Sequence, residues 1–373
     1  MKQNIRIEKL ILSNYRNHKF LELYFKKNII LICGKNGSGK TNILESISLI
    51  SSSAGLKSSS LKELINKDLF GPLELFGVNM QLLLNNKLAT IGLGIKKSNS
   101  SMQKIIKINN KKYNERVSET FKVFWIVPKT IFLFQDSPES RRGFLDQMIC
   151  SINNLYKNNL QIYQKYKKER IRLLKNLSEE TSEWLDIIEK KIALTGVIIC
   201  DERRNFIKNL NNFLKDKNSI FPSLFASLDG QLDKLLTDNP AISVEEIFQR
   251  NLKLNRKKDL LTGRTNFSAN RTDFVIKNKE SNLDAKNHST GEQKVIIFSI
   301  IFSFIEFLEK SPDSKIIFLL DDVFSFLDQN YILAVLRKLN NLNVQTLLTD
   351  IRGEWIMKLN SFKSIVQKIN IDD

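Results

Sequence analysis

Residues 28–50 read NIILICGKNGSGKTNILESISLI. An apolar run, long enough for one buried strand, gives way to a loop of three glycines, and helical periodicity follows at once, with Ile43, Leu44, Ile47 and Ile50 on one face. A strand, a glycine loop and a helix in that order point to an α/β fold with a parallel-sheet core. Within it, Gly34, Gly39, Lys40 and Thr41 satisfy G-x-x-x-x-G-K-[ST] in the context that gives that motif meaning. Glycines let several backbone N–H groups turn inward, and the start of the helix adds its partial positive charge at the same place. The pattern predicts a phosphate cradle. Lys40 is placed to reach the β- and γ-phosphates of a nucleotide, and Thr41 to offer its hydroxyl to a Mg²⁺ ion bridging them.

A chain of 373 residues with 42% hydrophobic content can bury a sizeable core and hold two or three domains. Its formal net charge is +18, which suggests a polyanionic partner such as nucleic acid. The richness in Lys, Asn and Ile would also follow from AT-rich codon usage, so scattered lysines need no ligand by themselves. Cys33, Cys150 and Cys200 stand apart without C-x-x-C spacing, and His18 and His288 are the only histidines. Neither a disulfide framework nor a histidine metal cluster is indicated. The N-terminus mixes charged and apolar residues, unlike a signal peptide. The most apolar stretch, 294–308, is too short to span a bilayer and reads as a buried helix. No membrane is expected, and the cytosol is the expected compartment.

Along the chain, NIRIEKLIL and FLELYF read as strands, the second with Leu21, Leu23 and Phe25 on one face. SSSAGLKSSS (51–60) reads as a loop of low complexity. NMQLLLNNKLATIGLGI and KIIKINNKKY read as short antiparallel strands meeting at Asn-rich turns. From about residue 115 long amphipathic helices take over, in SPESRRGFLDQMICSI, NLQIYQKYKKERIRLLKNL and around Trp184–Lys191. The basic face of YKKERIRLLK suits either DNA or plain solvent. Pro and Gly punctuation over 222–240 predicts turns. The expected organisation is a first head segment over 1–114, a helical lobe over 115–262 and a second head segment over 263–373.

The second head segment carries IIFLLDDVFSFLD (316–328), an apolar strand ending in two acids. Asp321 would hold Mg²⁺ from outside its direct ligands, and Asp322 could orient and deprotonate an attacking water. Two carboxylates at one strand end repel unless a cation is shared. Upstream, HSTGEQK opens a helix with Ser289 and Glu292 in capping-box register. Such a turn offers backbone N–H groups and a hydroxyl to a second anion, or simply caps its helix.

Glycine loop, Ser-Thr-Gly-Glu-Gln turn and paired-acid strand, in that order, resemble the ATP-binding-cassette ATPases. Within them LILSNYRNH, NGSGKTNILESIS, PESRRGFLD, GRT, STGEQK and LLDDVFSFLD resemble, in order and approximate spacing, the RecF family of bacterial recombination mediators, which is related to chromosome-maintenance proteins. The resemblance implies a P-loop ATPase head, a mixed β lobe plus a parallel-sheet core, with an inserted helical lobe. It implies ATP and Mg²⁺ as ligands, held by Gly34, Asn36, Gly37, Gly39, Lys40, Thr41 and Asn42, with Thr41 and Asp321 serving the metal and Lys40, Asp321, Asp322 and Ser289 serving hydrolysis. Ser289, Gly291, Glu292 and Gln293 would act on nucleotide bound to a second copy, and Asp328 would couple the two sites. Arg16 of NYRN is either near the phosphates or a surface arginine. Arg141 and Arg142 are either DNA ligands or ion-pair partners. The resemblance further implies an ATP-dependent homodimer on double-stranded DNA beside single-strand gaps, weak DNA-stimulated hydrolysis, and RecR and RecO as partners.

Several positions depart from the family pattern. SANRTDF (268–274) stands where Gly-Pro-His-Arg-Asp-Asp is usual, keeping only Arg271 and Asp273. Phe326 and Leu327 replace an Asp-Glu-Leu type of loop, Phe124 occupies the place of a metal-sensing Gln with Gln135 as a poor substitute, and Thr349 and Asp350 replace a terminal His. Slow turnover is expected, a switch more than a motor, and a nucleotide-gated DNA-binding adaptor that scarcely hydrolyses, or another chromosome-maintenance-like ATPase, stays open as the alternative.

Overall fold

Alternation at the N-terminus becomes two antiparallel strands, β1 (Ile5–Tyr15) and β2 (His18–Tyr24), joined by the tight turn Arg16–Asn17 with Arg16 at φ 54°. The computed structural model describes residues 5–50, 55–57, 59–66, 75–84, 87–98, 101–112, 121–176, 179–214, 220–310, 315–342, 344–351, 353 and 362–372. Of the loop expected over 51–60, residues 51–54 and 58 lie outside these. The apolar run becomes β3 (Ile29–Cys33), buried at every position, and α1 (Lys40–Ser48) starts at the end of the glycine loop. Then come β4 (Gly77–Leu84), β5 (Lys87–Ser98), β6 (Ser101–Ile108) and β7 (Lys111–Lys112). Asn109 and Asn110 make the β6–β7 turn at φ 48° and 64°, the left-handed pair that two-residue hairpins favour.

Strand β8 (Lys122–Ile126) and the single turn α2 (Pro128–Ile131) follow. The helices α3 (Pro138–Ile152), α4 (Asn154–Lys175) and α5 (Glu179–Leu210) match the amphipathic stretches read from sequence. The segment 222–240 is not a run of turns. It holds strand β9 (Leu224–Asp229) and helix α6 (Gln231–Asp238), with Leu224 and Ala226 buried and Phe225 exposed. After α7 (Ala241–Leu254) and α8 (Arg256–Thr262), β10 (Asp273–Asn278) pairs with β9. The chain ends with α9 (Thr290–Glu309), β11 (Ile316–Leu320), α10 (Gln329–Asn341), β12 (Gln345–Asp350) and β13 (Val366–Asn370).

Two compact units result, Met1–Ile131 with Ile305–Asp373, and Phe132–Phe304. The first carries an antiparallel sheet ordered β2-β1-β4-β5-β6-β7 and a parallel sheet ordered β13-β3-β12-β11-β8. One apolar core joins both, taking Ile43, Leu44 and Ile47 from α1, Leu10 and Leu12 from β1, and Leu319 and Leu347 from the parallel sheet. The buried amide of Gln345 spans the two sheets, accepting from Ile7 N at 2.7 Å and donating to Ile7 O at 2.9 Å. A buried polar group needs such partners, and this pair fixes how the sheets register. Strand β8 lies beyond residue 115, where the sequence reads as helical, because KVFWI is too short and too continuously apolar to declare its type.

In the second unit the buried guanidinium of Arg170 on α4 donates to Glu189 at 2.9 Å, Asp259 at 2.7 Å and Leu252 O at 2.8 Å. That of Arg203 on α5 grips Asp146 twice at 2.8 Å and Ala269 O at 2.7 Å. Charges this deep persist only when paired and hydrogen-bonded. Arg141 is likewise an ion-pair partner, its Nε and Nη2 donating to Asp273 at 2.8 and 2.7 Å.

Candidate nucleotide-binding site

The site begins where β3 runs out of sheet. Gly37 and Gly39 lie at φ 87° and 98°, so the loop can coil back on itself and start α1. A Cβ on Gly39 would stand 2.4 Å from His18 Nε2 and 2.5 Å from Asn17 Oδ1; one on Gly34 would stand 2.5 Å from Ser38 Oγ. The β1–β2 turn therefore abuts the loop. Asn42 Nδ2 donates to Asn17 Oδ1 at 2.7 Å, and His18 Nε2 lies 3.3 Å from Gly39 O. Burial holds the pKa of His18 below its ordinary value, against the carbonyl of Gly39. Asn36 is exposed at the tip, and the neighbouring Lys35 N–H donates to the Asp372 carboxylate at 2.7 and 3.0 Å.

Lys40 is buried, and its ammonium donates to Gly34 O at 2.5 Å and Lys35 O at 2.9 Å. It is held inside the loop by these carbonyl dipoles, and among the described residues no carboxylate is in salt-bridge contact with it. Thr41 Oγ1 donates to Asp321 Oδ1 at 2.8 Å, and Thr349 Oγ1 donates to the same oxygen at 3.0 Å. Thr349 Oγ1 also accepts from Asp322 N at 2.8 Å. Adjacent parallel strands β11 and β12 bring these groups together at their C-terminal ends. Asp322 sits at φ 49° and accepts from Ser325 Oγ at 2.8 Å. Burial raises its pKa above the usual carboxylate value; the charges of Asp350 and Asp321 raise it further, while the Ser325 bond and Lys40 oppose them.

These residues suit a Mg²⁺–triphosphate. A glycine loop crowded at Gly34 and Gly39, a buried lysine inside it, and a threonine hydroxyl beside one carboxylate form the donor set that this ion uses when phosphates supply the rest. Among the described residues no group of three or more His, Cys, Asp and Glu could hold a metal alone.

The remaining expected residues are placed otherwise. The side chain of Arg16 lies on Glu45 at 2.9 and 2.7 Å and on Ser59 at 2.5 Å, so it supports α1 from below the loop. Glu45 is fully buried and also accepts from Tyr15 at 3.1 Å and Ser59 at 2.9 Å. Asp328 caps α10, accepting from Tyr331 N at 3.0 Å. In the second unit, Ser289 and Glu292 form the capping box at the start of α9: Ser289 N donates to Glu292 at 2.9 Å, and Glu292 N to Ser289 Oγ at 3.4 Å. Ser289, Gly291 and Glu292 are exposed. Gln293 is buried, and its amide donates inward to His288 O at 2.9 Å and Lys286 O at 3.2 Å. Thr349 and Asp350 are partners that the sequence marks only by an apolar run ending in Thr-Asp, the same strand-end signal as at Asp321.

The family profile described as RecF/RecN/SMC N terminal domain matches residues 6–371. The DNA replication and repair protein RecF of Rickettsia bellii (strain OSU 85-389) is 32% identical over 355 residues, covering 94% of this chain and 96% of its own. The RecF of Rickettsia prowazekii (strain Madrid E) is 33% identical over 348 residues, covering 93% and 94%. Among solved structures, the recombination mediator RecF-ATPrS of the RecFOR pathway superposes with a TM-score of 0.81 at 27% identity, covering 99% of this chain and 98% of its own. The RecF-ATP structure of the same pathway gives 0.78 at 26% identity, covering 94% and 93%. An SMC head bound to the C-winged helix domain of ScpA shares the fold at a TM-score of 0.51 and 15% identity, covering 95% and 92%. On its sequence, its α/β head and the match along nearly its whole length, the chain belongs to the RecF family.

Proposed function

We propose that this protein is a RecF-type ATPase of recombinational repair, which binds ATP and Mg²⁺, pairs head to head with a second copy while ATP is bound, and grips duplex DNA beside single-strand gaps. The bond from Thr41 to Asp321, with Asp322 next in the chain, carries the reading. It joins the phosphate loop to the strand-end acids as phosphoryl transfer requires. Lys40 would leave the carbonyls of Gly34 and Lys35 for the phosphate oxygens, where its charge stabilises the transition state. Thr41 and Asp321 would hold the ion, which when bound neutralises phosphate charge. Asp322 would orient water and take its proton. Backbone N–H groups and the hydroxyl of Ser289, with Gly291, would close over the γ-phosphate of the other copy.

The names of the relatives support DNA and the RecFOR pathway, hence RecR and RecO as partners, and the charge of +18 supports a polyanion. Among the described residues no helix is long and apolar enough to cross a membrane. We place the protein in the bacterial cytosol. The test is molecular mass in solution. ATP·Mg²⁺ is expected to double the mass of the wild type, and Lys40→Arg to stay monomeric. A wild type that stays single when saturated with ATP·Mg²⁺ overturns the reading.

A second reading, a nucleotide-gated adaptor that scarcely hydrolyses, is favoured by one observation. Phe124, at the position expected for a metal-sensing Gln, is buried and stacked on Phe318, so it offers no polar group to a metal or water. Single-turnover hydrolysis separates the two, since an adaptor would lose nothing on Asp322→Asn.

A further inference from the structure

In the second unit one short segment collects contacts from three helices. Ala269 N donates to Tyr163 of α4 at 3.0 Å, and Ala269 O accepts from Arg203 of α5. Gln164 of α4 reaches Asn270 at 3.4 Å, and Arg142 of α3 donates to Thr272 O at 3.1 Å. This is the SANRTDF stretch.

Three cations gather around it, Arg142, Lys167 and Arg271. Lys167 is half-buried, and its ammonium lies 5.6 Å from the ring centroid of Tyr163. Among the described residues it meets neither a carboxylate nor a hydrogen-bond acceptor. Burial, then the charges of Arg142 and Arg271, pushes its pKa down to about 8, with Glu139 acting the other way. Burial, then Arg203, also lowers that of Arg142. Arg271 is exposed, and among the described residues its guanidinium makes only one long contact, to Asn266 at 3.4 Å.

The contrast with the neighbouring arginines is informative. Arg141, Arg170 and Arg203 each hold carboxylates at 2.7–2.9 Å. A lysine kept partly out of water beside two guanidiniums, with an aromatic ring but no carboxylate in contact, leaves an excess of positive charge at this point. An anion would balance it. Phosphate accepts from planar guanidinium forks and from a point charge together, and a net charge of +18 draws a long polyanion more strongly than a single small ion.

We propose that Arg142, Lys167 and Arg271 form a docking point for one phosphodiester of a nucleic-acid backbone. The inference rests on the DNA-binding reading above and deepens it by naming a contact. Arg142 also supports the Thr272 carbonyl, so Lys167→Gln and Arg271→Gln are the informative variants.

The test combines amine acylation, read by mass spectrometry at Lys167, with fluorescence anisotropy of a short labelled duplex in the presence of ATP·Mg²⁺. Duplex is expected to lower acylation of Lys167 about fivefold, and inorganic phosphate at equal phosphate concentration to do far less. Each variant is expected to reduce the slope of log affinity against log salt by about 0.9, with nucleotide binding retained as the folding control. A wild type that binds duplex while Lys167 stays fully reactive, or variants that keep the wild-type slope, overturn the site and leave the DNA-binding reading standing. Equal protection by inorganic phosphate overturns it in favour of a small-anion site. A wild type that binds no duplex removes both.

Discussion

At the scale of single residues, Asp322 concentrates the chemistry. Its carboxyl must be ionised to accept a proton, yet burial and the charges of Asp350 and Asp321 favour the protonated form. In the nucleotide-free protein Asp322 should therefore take up its proton, as pH drops, above the ordinary aspartate value. Asp350→Asn removes a like charge and should move that titration to lower pH, as carboxyl chemical shifts of the nucleotide-free protein followed by NMR would register. The same shift has a consequence for folding. A carboxyl whose folded pKa is raised binds its proton more tightly in the native state, so its stabilising contribution is complete below the unfolded pKa and is lost as pH rises through the folded one. Asp322→Asn, which suits the left-handed backbone at φ 49°, should melt higher than the wild type at neutral pH, with the gain shrinking on acidification. The placement of Lys40 and Thr41 at the start of α1, and of Asp321 and Asp322 just past β11, was legible because each pair lies in a local strand–loop pattern. The bridging hydroxyl of Thr349 was not, because its role exists only once β12 lies beside β11.

Among the elements, α1 depends on a charge beneath it. Glu45 is buried, and the bidentate Arg16 is its main counter-charge. Arg16→Ala leaves that carboxylate unpaired and should cost about 3–5 kcal/mol in urea unfolding. Adding Glu45→Gln should recover part of the loss, whereas a merely exposed arginine would show no such coupling. The helix α9 poses the opposite case. Ser289→Ala removes a cap and should cost about 1 kcal/mol or less in the same assay, yet it should weaken the mass increase with ATP if Ser289 also meets the second copy's nucleotide. Sequence periodicity located α1, α3, α4, α5 and α9, since long amphipathic or apolar stretches declare their period. It misread 222–240, where Pro222 and Gly230 masked the alternation of a six-residue strand, and it passed over β8, whose five residues offer no period at all.

For the whole molecule, the distribution of charge matters more than its sum. If the excess of +18 serves DNA, log affinity for duplex in ATP·Mg²⁺ should fall linearly with log salt at a slope of several units, about 0.9 for each phosphate neutralised. A shallow slope, below about two contacts' worth, would assign most of the lysines to solvent. The linear chain determined that a phosphate loop exists, that two acids end a buried strand and that α/β architecture follows, because these signals reside in residues adjacent in sequence. Tertiary structure alone decided which arginines were already spent on carboxylates and which were not. Arg16 and Arg141 look no different in sequence from Arg271, and only packing, which brings Glu45 and Asp273 to the first two, sets them apart.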